Sequence, residues 1–124
     1  MKILNMTLIL LLAGCSSLTT FDSTEYDRYI TIKMTADAAI PECGTAEVKN
    51  SIDKLSTLIS HQFVYASYRE SRTQIGIATT EITGLIANLQ AKYKTGEPSV
   101  GYCQEKLKNI STGTTTIIQT LGSM

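Results

Sequence analysis

The chain has no tryptophan, a single histidine (His61), two prolines (Pro41 and Pro98) and no Asn-Gly or Asp-Gly dipeptide. Each shortage excludes something. One histidine cannot form a His-Glu-x-x-His pair, and no Cys-x-x-Cys replaces it, so no metal site is expected. His61, Asp53 and the serines lack a Gly-x-Ser-x-Gly turn or a glycine-rich oxyanion loop, so they do not compose a hydrolase triad. Phosphate-cradling glycine loops are missing as well; no nucleotide or other cofactor is expected and no small-molecule substrate is evident. Eleven basic residues balance eleven acidic ones with mixed signs, leaving no basic stripe to follow nucleic acid. On these exclusions the protein is expected not to be an enzyme.

What is present begins at the first residues. Lys2 is followed by a mostly apolar stretch, Ile3 to Leu12, broken only by Asn5 and Thr7. About ten residues of helix span roughly 15 Å, half a bilayer core, which is too short for a transmembrane anchor and right for a signal-peptide core. Small residues then lead to a cysteine, Leu12-Ala13-Gly14-Cys15. This tetrapeptide resembles the lipobox of bacterial lipoproteins with a type II signal peptide. The resemblance covers the first 15 residues only. It implies cleavage before Cys15, with acyl chains (palmitate among them) on the Cys15 thiol and the new amino terminus. Two or more acyl chains make a stable anchor where one is marginal. Ser16 stands where this family's inner-membrane retention signal places Asp, so the resemblance implies the periplasmic face of the outer membrane. The expected organisation is a signal peptide at 1–14, a lipidated tether at 15–21 and a helical periplasmic domain at 22–124.

Removing 14 of 124 residues leaves 110, with ten basic and eleven acidic side chains and a formal charge of −1. Two cysteines remain after lipidation, Cys43 and Cys103. In an oxidising compartment an even pair in a small domain reads as a disulfide.

The rest is helical in character: Val, Ile and Thr are common, but alternation at period two never persists. A first helix starts near Asp22 or Ser23, turns Tyr26, Tyr29, Ile30 and Met34 inward, and ends before Pro41. The connector 41–45 offers Thr45 as an N-cap. From Ala46 to Lys94 there is no proline. Val48, Ile52, Leu55 and Ile59, continued by Phe63 and Ala66, give one apolar seam; Ile75, Ala78, Ile82, Leu85 and Leu89 give another. After a break at 95–99 the final segment carries Val100, Cys103, Leu107, Ile110, Thr114, Ile117 and Leu121 at spacings of three and four. Gly113 and its flanking threonines lower helix propensity, so fraying is expected there.

Geometry then poses a choice. One straight helix over 46–94 would be about 73 Å long, whereas the Cα atoms of a disulfide lie within about 7 Å. An intramolecular Cys43–Cys103 bond therefore requires the segment to fold back, most naturally at the polar run 69–74. The expected fold class is all-α, an up-down bundle of four helices. The alternative is three helices, one of them long, with the cysteines bridging two chains.

Two features suit a partner. Phe63, Tyr65 and Tyr68 do not share one helix face, so at least one ring is expected at the surface, beside Arg69 and Arg72; exposed Tyr with Arg is the composition of a binding hot spot. Tyr26-Asp27-Arg28-Tyr29, near the tether, could place tyrosines at headgroup level. The function expected is non-enzymatic binding of another envelope protein for assembly, localisation or structure. Small helical pilotins of secretion systems are similar in architecture, at the level of fold and without a shared motif. The alternative is a phage-encoded outer-membrane lipoprotein, serving as an outer spanin subunit or in superinfection exclusion.

Overall fold

The computed structural model describes residues 21–68 and 73–124. The lipobox-like residues Leu12, Ala13, Gly14 and Cys15, most of the tether, and Arg69 and Arg72 lie outside them. The described residues form four helices: α1 (Ser23–Ala39), α2 (Val48–Ser67), α3 (Thr73–Thr95) and α4 (Val100–Gly122). The long proline-free segment is thus two helices, and they pack against each other. α1 packs on α2 and α4, and α3 packs on α2 and α4, so the chain runs up, down, up and down around a square.

The ends of the helices follow local chemistry. The Asp22 carboxylate accepts hydrogen bonds from the Thr24 and Glu25 amides at 2.9 and 3.2 Å, capping α1. Pro41 lacks an amide hydrogen and sits in the single 3₁₀ turn, Ile40–Glu42, that ends it. Gly44 follows at φ +86°, a left-handed conformation natural to glycine. Thr45 is not a cap: its hydroxyl donates back to the Glu42 carbonyl, and α2 begins three residues later behind Glu47. Ser99 caps α4, accepting from the Tyr102 amide at 3.1 Å.

Buried residues fall on spacings of four and three in every helix. α1 buries Glu25, Tyr29, Ile32, Ala36 and Ala39; α2 buries Val48, Ile52, Leu55, Ile59 and Gln62. α3 contributes Ile75, Thr79, Ile82, Ile86 and Leu89, and α4 contributes Cys103, Leu107, Ile110, Thr114, Ile117 and Leu121. This is the heptad seam of a bundle. It corrects several expectations. Met34 is 66% exposed, because the α1 seam passes through Ile32 and Ala36. Gln62, not Phe63, holds the next core position of α2. Thr79 and Ile86 take core positions in α3, while Ala78 and Leu85 are half-buried beside them. Val100 lies outside the core of α4.

Thr79 is tolerated in the core because its hydroxyl is used. It donates to the Ile75 carbonyl at 2.7 Å, and the Tyr29 hydroxyl, 2.7 Å away across the bundle, therefore donates to it. The same backbone bonding keeps the threonine-rich part of α4 helical. Thr114, Thr115, Thr116 and Thr120 donate to the carbonyls four residues earlier, and the helix runs unbroken to Gly122. Gly113 also serves packing: a Cβ there would meet Ile82 Cγ2 at 2.9 Å, so α3 and α4 approach closely.

Cys43 and Cys103 are bonded, with Cα atoms 5.9 Å apart. Both are buried, and the bond ties the turn after α1 to the first turn of α4. The bundle therefore has two distinct ends. The disulfide end holds the connections 40–47 and 96–99. The other holds the start of α1, the end of α2, the start of α3 and the end of α4, and the chain segment preceding Phe21 joins there.

Candidate docking surface

At that second end α2 and α3 border a groove of about 500 Å³. Phe63, Ala66 and Ser67 form one wall, spaced by three and four so that they share a face of α2. Gly76, Ile77, Thr80 and Glu81 form the other. A side chain at Gly76 would meet nothing within 4 Å, so the glycine leaves the groove open. Phe63 is 40% exposed and Ile77 57%. The walls are mostly carbon, an arrangement able to take an apolar side chain or a helix edge.

The aromatic residues singled out from the sequence are divided by the structure. Phe63 belongs to the groove, and Tyr68 stands free at the end of α2 with 82% of its surface exposed. Tyr65 turns the other way, toward α1, where its hydroxyl donates to the Asp22 carboxylate and the Arg28 guanidinium lies 5.7 Å from its ring centroid. It ties α2 to the cap of α1 and is not part of the open surface. Arg69 and Arg72 lie outside the described residues. Of the second patch, Tyr29 is fully buried in the core and Tyr26 is half-buried, with the Phe21 ring centroid 5.7 Å from its own.

Ile77 and Val64 were not identified from sequence. The signal was available: with Thr79 and Ile82 in the seam, Ile77 falls opposite the core, as Val64 does in α2. Val64 is 54% exposed. An apolar side chain at an outward heptad position is a surface feature.

His61 faces the α1–α2 side, in a cleft with Arg28, Thr31, Leu58 and Gln62, while Asp53 faces α3 and accepts from Gln90 Nε2 at 3.1 Å. The two are not brought together. Gln90 Oε1 accepts in turn from Ser56 at 3.0 Å. Burial, with the Glu97 charge adding to it, raises the Tyr93 hydroxyl above its usual range. Among the described residues no cluster of three His, Cys, Asp or Glu side chains could hold a metal ion, and no helix is long and apolar enough to cross a membrane.

No family model matches this chain, and comparison with curated proteins and with solved structures finds no match for it.

Proposed function

We propose that this chain is a lipid-anchored protein of the bacterial envelope, held at the periplasmic face of the outer membrane through Cys15, that works without catalysis by docking another envelope protein. The observation that carries the reading is the α2–α3 groove, an open apolar surface at the end of the bundle where the chain enters from the tether. Phe63 and Ile77 at its walls leave exposed apolar surface that contributes nothing to the core, a composition suited to a concave binding face. A partner side chain filling it would lose contact with water, and burial of one large apolar side chain contributes about 1.5–3 kcal/mol.

Two measurements test the two halves of the proposal. Cys15→Ala is expected to abolish acyl labelling and release the protein from the membrane fraction; unchanged fractionation with labelling retained overturns the anchor. A photo-crosslinking residue at Ile77 in intact cells is expected to give one adduct of discrete mass. That adduct is expected to vanish with Phe63→Ser and to be missing when the crosslinker replaces Lys108 on α4. No adduct at Ile77, or the same adducts from both positions, overturns the docking surface.

A further inference from the structure

The end of the bundle that receives the tether differs from the opposite end in the chemistry it exposes. Phe21 is 47% exposed, Tyr68 82% and Met124 48%, and all three sit at this end, at the start of α1, the end of α2 and the end of α4. Tyr26 completes the group: Phe21 packs on its ring, and a side chain at Gly122 would meet its Cε2 at 3.6 Å, which places Tyr26 against the last turn of α4. The opposite end exposes Thr45, Glu47, Thr95, Gly96, Glu97 and Ser99, with Val100 the one large apolar side chain. Beside the exposed Ser23, Thr24, Ser67 and Ser123, the first end thus carries three large exposed aromatic or apolar side chains among the described residues, against one at the other.

Reach decides what can lie against the apolar end. From Cys15 to Phe21 there are six steps, so an extended tether spans at most about 22 Å. A domain so held presents its near end to the lipid, and rings that pair an apolar body with a polar tip favour the headgroup layer. We infer that the end face bearing Phe21, Tyr68 and Met124 rests in the headgroup layer of the membrane to which the tether is joined, so that the bundle stands end-on. The inference rests on the lipid-anchor reading. It deepens that reading: the α2–α3 groove opens on the flank within about two helical turns of this face, so the docked protein is met at the membrane surface and not deep in the periplasm.

The lack of tryptophan makes the test direct. Tyr68→Trp and Thr95→Trp each give the mature acylated protein a single tryptophan, the first at the apolar end and the second at the far end of α3, about 34 Å away by helical rise. Both replaced residues are exposed, so folding is expected to persist. Each protein is reconstituted into vesicles of phosphatidylethanolamine and phosphatidylglycerol containing a lipid brominated near the top of its acyl chains. The expected result is co-flotation of both proteins, loss of most of the emission and a blue shift for Tyr68→Trp, and unchanged emission for Thr95→Trp. Phe21→Trp is expected to behave as Tyr68→Trp does. Co-flotation with neither position quenched overturns the end-on contact while leaving the anchor in place. Quenching at both ends also overturns it, since the bundle would then lie flat. Failure to float overturns the anchor, and the contact falls with it.

Discussion

Gln62 is the residue whose replacement tests the packing account most sharply. It occupies a core position of α2 with 1% of its surface exposed, and neither its amide nitrogen nor its amide oxygen has a hydrogen-bond partner. Each buried, unsatisfied polar group costs about 1–3 kcal/mol, because the hydration it had in the unfolded chain is not replaced. Methionine has nearly the same length and adaptability and carries no obligatory donor. Gln62→Met is therefore expected to stabilise the fold by about 2 kcal/mol, which for a domain of this size raises the midpoint of thermal unfolding by roughly 10 °C. The control is Gln90→Met. That amide is bonded at both ends, to Ser56 and Asp53, so its replacement removes two hydrogen bonds and is expected to cost about 1–2 kcal/mol. Both are read by thermal and denaturant unfolding followed by circular dichroism. A Gln62→Met protein no more stable than the parent refutes the reasoning, since the amide must then be satisfied in solution.

Three further outcomes are expected. Cys43→Ala with Cys103→Ala frees a separation of 60 residues and is expected to cost about 4 kcal/mol in denaturant unfolding, as is reduction of the parent; a loss below about 1 kcal/mol, or a reducible dimer on a gel, contradicts the intramolecular bond. Gly44→Ala forces a side chain into φ +86° and against Val100 Cγ2 at 2.8 Å; the conformational part, about 1–2 kcal/mol, is expected to persist when Val100→Ala relieves the contact, and full recovery in the double variant contradicts the left-handed conformation. At Asp37, burial raises the carboxyl, but hydrogen bonds from Lys33 and Ser111 and the Lys33 charge together outweigh it and hold it below its ordinary value of 3.8. A depressed folded value stabilises above pH ~4 and the contribution is lost as pH falls below it. With the two side chains 35% and 45% exposed the contribution is under about 1 kcal/mol, so Asp37→Asn is expected to reduce stability slightly at pH 7 and not at pH 2.

The helices, their order and the fold-back were legible because they follow from few and strong constraints. Pro41 and the 95–99 break mark two boundaries, and a Cys43–Cys103 bond cannot coexist with a straight helix over 46–94. The seams were legible where apolar residues on both sides fix the register, as they do around Thr114. Val48, Ile52, Leu55 and Ile59 could be read directly, and so could Cys103 through Leu121. Where a polar residue holds a core position and an apolar one stands beside it, a search for apolar side chains steps onto the neighbouring face. It chose Ala78 over Thr79 and Phe63 over Gln62. Whether a threonine can be buried depends on a hydroxyl partner, here Tyr29 from the opposite corner of the bundle, and that is tertiary information. The surface was half legible for a related reason. An exposed aromatic near residue 68 follows from helical geometry within α2, but the groove is a property of two helices and needs their register.

Taken with the heptad, the two ends of the bundle show an inversion that packing alone does not explain. Toward the disulfide the core positions are Ala36, Ala39, Val48, Ile52, Leu89, Cys103 and Leu107, and the large apolar side chains exposed there are Met34 and Val100. Toward the tether the core accepts Glu25, Gln62 and Thr79, while Phe63, Val64, Tyr68 and Ile77 are exposed. Each apolar side chain left outside forgoes about 25 cal/mol for every Å² that burial would have removed from water. Exchanging Gln62 with Val64, two residues apart on the same helix, would improve both the core and the surface, and the chain has the opposite arrangement. Stability is thus given up on both counts at Gln62 and Val64, within two turns of the end where the groove opens. Apolar surface retained at that cost, beside a core position given to an unbonded amide, is what the proposed docking role of the α2–α3 groove requires.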